Sequence, residues 1–140
     1  MPWFALALAG PALAGPDTDE ARSCLDAQLS DLWQEGVRSR SIETATLKAG
    51  ETHTTEHLLF GGFEVTFRSC AGAGATNLDL LLVDDSGKVL FRDDAKSRDP
   101  ALTVTPTSTG RYRLVAYLRG AKSAEQAVPV AVALTFAARD

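Results

Sequence analysis

From residue 37 onward, apolar and polar residues alternate with a period of two, the pattern of strands that bury one face. Ile42 to Leu47 is Thr-rich and alternating, which predicts a short edge strand closed by a turn at Lys48-Ala49-Gly50-Glu51. Thr52 to Phe60 forms a second run, ended by Gly61-Gly62. Phe63, Val65 and Phe67 then alternate with Glu64, Thr66 and Arg68, so that the three apolar residues face a core. Cys70 falls in register with the polar set and faces away from that core. Leu78 to Val83 is almost continuously apolar, with Asp79 inside it; Asp84-Asp85-Ser86-Gly87-Lys88 reads as a hairpin turn, and Val89-Leu90-Phe91 returns. Leu102 and Val104, then Tyr112 to Leu118, then Val128 to Phe136 complete the series. About eight strands at hairpin spacing predict an antiparallel β-sandwich.

Before residue 37 the period is different. Ala21, Leu25, Gln28 or Leu29, Leu32 and Trp33 recur at helical spacing, Asp17 or Thr18 can cap the first turn, and Gly36 stands where a left-handed stop belongs. One helix from Thr18 to Glu35 is therefore expected, docked on the sandwich by its apolar stripe. Its polar face is rich in Asp and Glu, which argues against binding to anionic lipid.

The first fourteen residues are apolar up to Ala12-Leu13-Ala14, a small-x-small site of the kind accepted by signal peptidase. The expected organisation is a signal peptide at 1–14, a helix and linker at 15–40 and one sandwich domain at 41–138, in a protein that is secreted or periplasmic. The run is too short to cross a bilayer, which takes roughly 20 apolar residues, so no membrane insertion is expected. In an oxidising compartment the two cysteines, Cys24 and Cys70, most simply pair. A loop of roughly 45 residues closed in this way stabilises the fold by about 3–4 kcal/mol in the chain-entropy account. The chain has 140 residues, 45% of them hydrophobic, which is enough for one core. A net charge of −4 with mixed signs does not suggest a surface that tracks phosphates, so no nucleic-acid partner is expected.

Several strand and turn segments together resemble the bacterial pre-peptidase C-terminal domain. They are Leu47-Lys48-Ala49-Gly50-Glu51, Phe63 to Phe67, Asn77-Leu78-Asp79-Leu80, the Asp85 to Leu90 turn and Thr109-Gly110-Arg111-Tyr112-Arg113-Leu114. The resemblance covers roughly Leu47 to Phe136. It implies a jelly-roll-like sandwich, an appendage of secreted hydrolases without catalysis of its own, some of whose relatives, including collagen-binding modules, bind calcium and an extracellular polymer.

Three constellations bear on chemistry. His53-Thr54-Thr55-Glu56-His57 matches the zinc-peptidase string H-x-x-E-H. That chemistry needs a helix, where residues four apart lie about 6 Å from each other; on a strand they are about 13 Å apart. The threonines favour a strand with exposed histidines, which leaves a small zinc hydrolase using His53, Glu56 and His57 as the alternative to be tested. Asp79, Asp84, Asp85, Asp93, Asp94 and Asp99 are candidate calcium ligands, calcium taking roughly six to eight oxygens, although their spacing is not that of a twelve-residue calcium loop. Tyr112, Tyr117 and Trp33 are candidate exposed aromatics for a ligand platform, with packing at a sandwich corner the competing role for Tyr112. The expectation is an exported, non-catalytic binding or accessory module that needs no cofactor apart from candidate calcium and meets a protein or an extracellular polymer. An envelope structural protein whose helix contacts a partner is the third reading.

Overall fold

The computed structural model describes the backbone of residues 3–138 and the side chains of residues 19–138. Helix α1 (Trp3–Gln34) is followed by β1 (Val37–Leu47), β2 (Thr52–Leu59), β3 (Val65–Ala71) and β4 (Ala75–Val83). Strands β5 (Val89–Asp93), β6 (Ala101–Val104), β7 (Gly110–Ala121) and β8 (Val128–Ala137) complete the chain. Two four-stranded sheets have the orders β1-β8-β3-β6 and β2-β7-β4-β5. All pairs are antiparallel, and β1 meets β8, β2 meets β7, β3 meets β6 and β4 meets β5. This is a long hairpin with its tip at Asp84–Lys88, rolled up until its halves form two sheets: an antiparallel jelly-roll sandwich of eight strands with one N-terminal helix.

The core follows from the alternation. Phe67 on β3, Leu78, Leu80 and Leu82 on β4, Leu114 and Leu118 on β7, and Val128, Val130 and Leu134 on β8 are shut off from solvent and form one cluster between the sheets. The opposite face of β8 carries Ala131 and Ala133, small enough for a helix to lie close. Ala21 and Leu25 of α1 fill that space with Cys70, and Cys24, Leu29 and Ile42 pack around them. Cys70 therefore faces away from the main core, as its register predicts, and it is bonded to Cys24 with their Cα atoms 6.1 Å apart. Among the described residues Ala21, Leu25 and Leu29 of the apolar stripe are used in this contact, while Trp33 stays exposed.

Three expectations need correction. The helix does not start at Thr18 but continues upstream through Asp17, with Gly15 and Pro16 inside it. The side chains of the expected leader and of its cleavage site at Ala12–Ala14 lie outside the described residues. Strand β1 begins at Val37 rather than Ile42, because residues 37–40 already pair with 134–137 on β8. Its register slips between Arg40 and Glu43, where Ser41 has a φ of 59°, and the extra residue turns Ile42 toward the helix. Finally, Phe63 is not in the core. Gly62, at φ 83°, makes a tight turn in which Phe63 N–H donates to Phe60 O at 3.2 Å, and β3 begins only at Val65.

No described helix is long and apolar enough to cross a membrane.

Candidate functional site

The β2–β3 connection, the hairpin tip and the β6–β7 connection all lie at one end of the sandwich, because Leu59 pairs with Gly110, Val83 with Arg113 and Val65 with Val104. Two hydrogen bonds hold the first of these loops to the third: Gly62 N–H donates to Pro106 O at 2.8 Å and Gly61 N–H to Thr109 Oγ1 at 2.9 Å. Gly61 also runs so close to the backbone of Thr107 and Ser108 that a Cβ there would lie 3.1 Å from it. The effect is to present Phe60 and Phe63 outward, 49% and 60% exposed; Leu58, near the end of β2, is also 49% exposed.

These rings border a cleft of about 500 Å³. Phe136, Val65 and Leu134 form apolar parts of its wall, and Arg40, Arg68, Glu64 and Thr66 contribute polar ones. Burial leaves Arg68 Nε without a hydrogen-bond acceptor. Beneath the wall Thr135 Oγ1 donates to Thr66 O at 2.7 Å, locking β8 to β3. A second recess, of about 320 Å³, lies at the same end between Asp84–Ser86 and Ser108–Tyr112.

The structure distributes the other candidates differently. His53, Glu56 and His57 are on strand β2, so the helical geometry needed for the zinc reading is absent. The expected exposure of both histidines is also wrong. His57 is buried, hydrogen-bonded through Nε2 to Thr55 Oγ1 at 2.7 Å and edge-on to Phe67, with ring centres 5.1 Å apart. His53 is half-buried, its Nε2 lying 3.7 Å from Glu43 on β1. Glu56 points to the opposite face and pairs with Arg111 at 3.1 Å. Burial pulls the His57 pKa down; Glu43 opposes this and Arg40 adds to it.

The aspartates are not gathered either. Asp79 is buried, with Oδ2 accepting from Arg119 Nε at 2.7 Å and Oδ1 unpartnered. Asp84 Oδ1 closes the hairpin by accepting from Ser86 Oγ, Ser86 N–H and Lys88 N–H, which lowers its pKa, the serine hydroxyl first. Asp85 is exposed in the same turn. Asp93 accepts from Ala95 N–H and Ala101 N–H, Asp94 lies 3.9 Å from Arg92, and Asp99 accepts from Ser97 Oγ. Among the described residues no group of three metal-ligating side chains converges. Two of these carboxylates shape turns, because a short acceptor beside free backbone amides is what such turns require.

Of the aromatic candidates, Tyr112 is buried and its hydroxyl donates to Ser108 O at 2.6 Å, the corner role. Trp33 is exposed under the Arg38 guanidinium, 3.5 Å from the ring centre, and Tyr117 lies 5.1 Å from Arg119. No shared platform forms from these three. Sequence reasoning missed Phe60, Phe63, Phe136, Arg40 and Arg68 as a group. The available signal was Phe60-Gly61-Gly62-Phe63, two bulky aromatics across a turn too tight to bury both.

No family model matches the chain, and no curated protein matches it. Among solved structures it is similar to PliG of Aeromonas hydrophila, a periplasmic lysozyme inhibitor of g-type lysozyme, at 15% sequence identity and a TM-score of 0.47. The match covers 71% of this chain and 87% of that one.

Proposed function

We propose that this protein is an exported, non-catalytic binding module that takes a protein partner on the Phe60–Phe63 end of its sandwich. The observation that carries the reading is the outward display of Phe60 and Phe63 by a loop fixed through hydrogen bonds from the Gly61 and Gly62 amides, beside a cleft of about 500 Å³. A folded chain gains nothing by holding large apolar groups in water. Clustered and rigidly held, they are the anchors of an interface, because little conformational entropy is left to lose on binding. Export is supported by the Cys24–Cys70 disulfide, which persists in oxidising compartments, and by the small-x-small site at Ala12–Ala14. Kinship with the pre-peptidase C-terminal domain belongs to the same proposal, and the two-sheet jelly roll supports it.

The test is affinity capture from the secreted and periplasmic fractions of the native cell, with wild-type protein and with Phe60→Ser/Phe63→Ser. Both residues are exposed, so the variant keeps its core. The expected result is a protein retained by the wild type and lost with the variant; equal retention by both, or none by either, removes the proposal.

A further inference from the structure

The two sheets differ in what lies on their outer faces. On the sheet β1-β8-β3-β6 the outward residues Ala131 and Ala133 are small and α1 covers them, whereas α1 packs on β1, β3 and β8 and leaves the sheet β2-β7-β4-β5 open on its outside. Strand pairing fixes which residues lie there. Val115 is paired with Leu81, and Arg113 stands between Glu56 and Val83, all turned away from the core residues Leu80, Leu82 and Leu114. Leu80 to Val83 is an unbroken apolar run, the composition of a strand covered on both faces, yet Leu81, Val83 and Val115 stay partly exposed. Around this apolar strip the surface is basic. Arg111, Arg113 and Arg119 follow one another along β7, Arg92 is paired with Leu81 on β5, and all four are exposed. Glu56, Asp79 and Asp94 each lie within 4.0 Å of one of these arginines, but Asp79 is buried, and among the described residues Arg113 has no carboxylate. The chain carries a net charge of −4, so this excess of positive charge is local and favours an occupant of the opposite sign. Two copies meeting through this face would set arginine against arginine. A sugar polymer calls for open rings to stack on, whereas Tyr117, the ring that β7 turns outward, is partly buried with the Arg119 guanidinium 5.1 Å from its centre.

We propose that the open face of the sheet β2-β7-β4-β5 docks an acidic protein segment with an apolar centre. Leu81, Val83 and Val115 receive the apolar part, and Arg92, Arg111 and Arg113 meet the carboxylates that flank it. This surface goes beyond the Phe60–Phe63 end and does not rest on it.

The experiment uses two peptides that differ only in charge, acetyl-Glu-Glu-Leu-Leu-Glu-Glu-amide and acetyl-Gln-Gln-Leu-Leu-Gln-Gln-amide. They are titrated at low salt into the full isotope-labelled chain while the backbone amides and the Arg Nε–Hε signals are followed by NMR. The acidic peptide is expected to move the signals of Leu81, Val115, Arg92 and Arg113 and to bind at least about tenfold more tightly than the neutral one, a difference that about three exposed ion pairs supply together. Raising the salt should remove most of that difference. Arg92→Gln/Arg113→Gln should bring the two peptides to within about threefold of each other. Val115→Thr, which keeps the branched shape of a strand residue, should weaken both. Unchanged α1 amide signals in both variants show that the fold is kept. Equal binding of the two peptides, shifts as large at Arg22 on α1 as at Arg113, or no shift on the sheet face overturn the proposal. A heparin oligosaccharide that binds this face more tightly than the acidic peptide and is indifferent to Val115→Thr overturns it in favour of a polysaccharide, and shifts of the face with protein concentration alone overturn it in favour of a second copy.

Discussion

Cys24 on α1 is bonded to Cys70 on β3, with their Cα atoms 6.1 Å apart, and the bond crosses the face of the sheet turned away from the main core. A strand residue of the wrong parity for the sandwich interior is thereby given a second, smaller interior. Replacing both cysteines by serine should lower the unfolding free energy by about 3–4 kcal/mol in denaturant titration. Protection of the α1 amides in hydrogen exchange should fall further than that of β4 or β7. Uniform loss across all elements would mean that the helix is not separately pinned.

Leu25 reports on the same contact from the packing side. It is fully buried against Ala131 and Ala133. Leu25→Ala should cost about 2–5 kcal/mol, the range for truncating a buried leucine. A cost near zero would show that the helix does not dock there.

Asp79 and Arg119 make an asymmetric pair: the carboxylate is 1% exposed and the arginine side chain 52%. One Asp79 oxygen already lacks a partner. Arg119→Met should therefore destabilise the fold by leaving a buried charge with nothing to answer it, and Asp79→Leu added to that variant should restore stability. A simple sum of the two single effects in the double variant would contradict this coupling.

His57 makes stability depend on pH in a defined direction. Burial beside Phe67 lowers its folded pKa below the ordinary 6.5, with Arg40 assisting and Glu43 opposing. The unfolded chain then binds the proton more readily than the folded one. Its contribution to stability is intact above 6.5 and is lost as pH falls from 6.5 toward the lower folded value. Denaturant midpoints measured from pH 8 to pH 5 should show this decline, and His57→Phe should flatten it in that window.

Tyr112 closes the corner between β6 and β7 through its hydroxyl and Ser108 O. Tyr112→Phe keeps the ring and removes this bond, so a loss of about 0.5–1.5 kcal/mol is expected by thermal or chemical unfolding.

The sandwich was legible because its signal is periodic. Val128, Val130, Val132, Leu134 and Phe136 alternate with Ala131, Ala133 and Thr135, and the observed strand uses the two sets on opposite faces. Cys70 was placed on the helix side by parity alone. What alternation does not carry is where a strand begins and how a loop is tied down. Phe63 continues the period of Val65 and Phe67 and so reads as core, but the turn at Gly62 and the bonds to Pro106 and Thr109 take it out of the strand. His57 is the reverse case. Its polarity suggests exposure, yet it shares parity with Leu59, and the sheet buries it with Thr55 as its partner. The candidate site escaped detection for a related reason: Arg40, Arg68 and Phe136 come from three strands brought together only by the pairing of β1 with β8 and β8 with β3, and Phe60 comes from the connection between β2 and β3.

Site-specific photo-crosslinking in the native cell tests the docking end most directly, with a benzoyl-phenylalanine placed at position 63 and, for comparison, at the less exposed Phe91 on β5, which is 39% exposed. The account predicts one reproducible protein adduct from position 63, suppressed by excess wild-type protein but not by the Phe60→Ser/Phe63→Ser variant, and no such adduct from position 91. The same adducts from both positions, or an adduct at 63 that the variant suppresses as well as the wild type does, would contradict it.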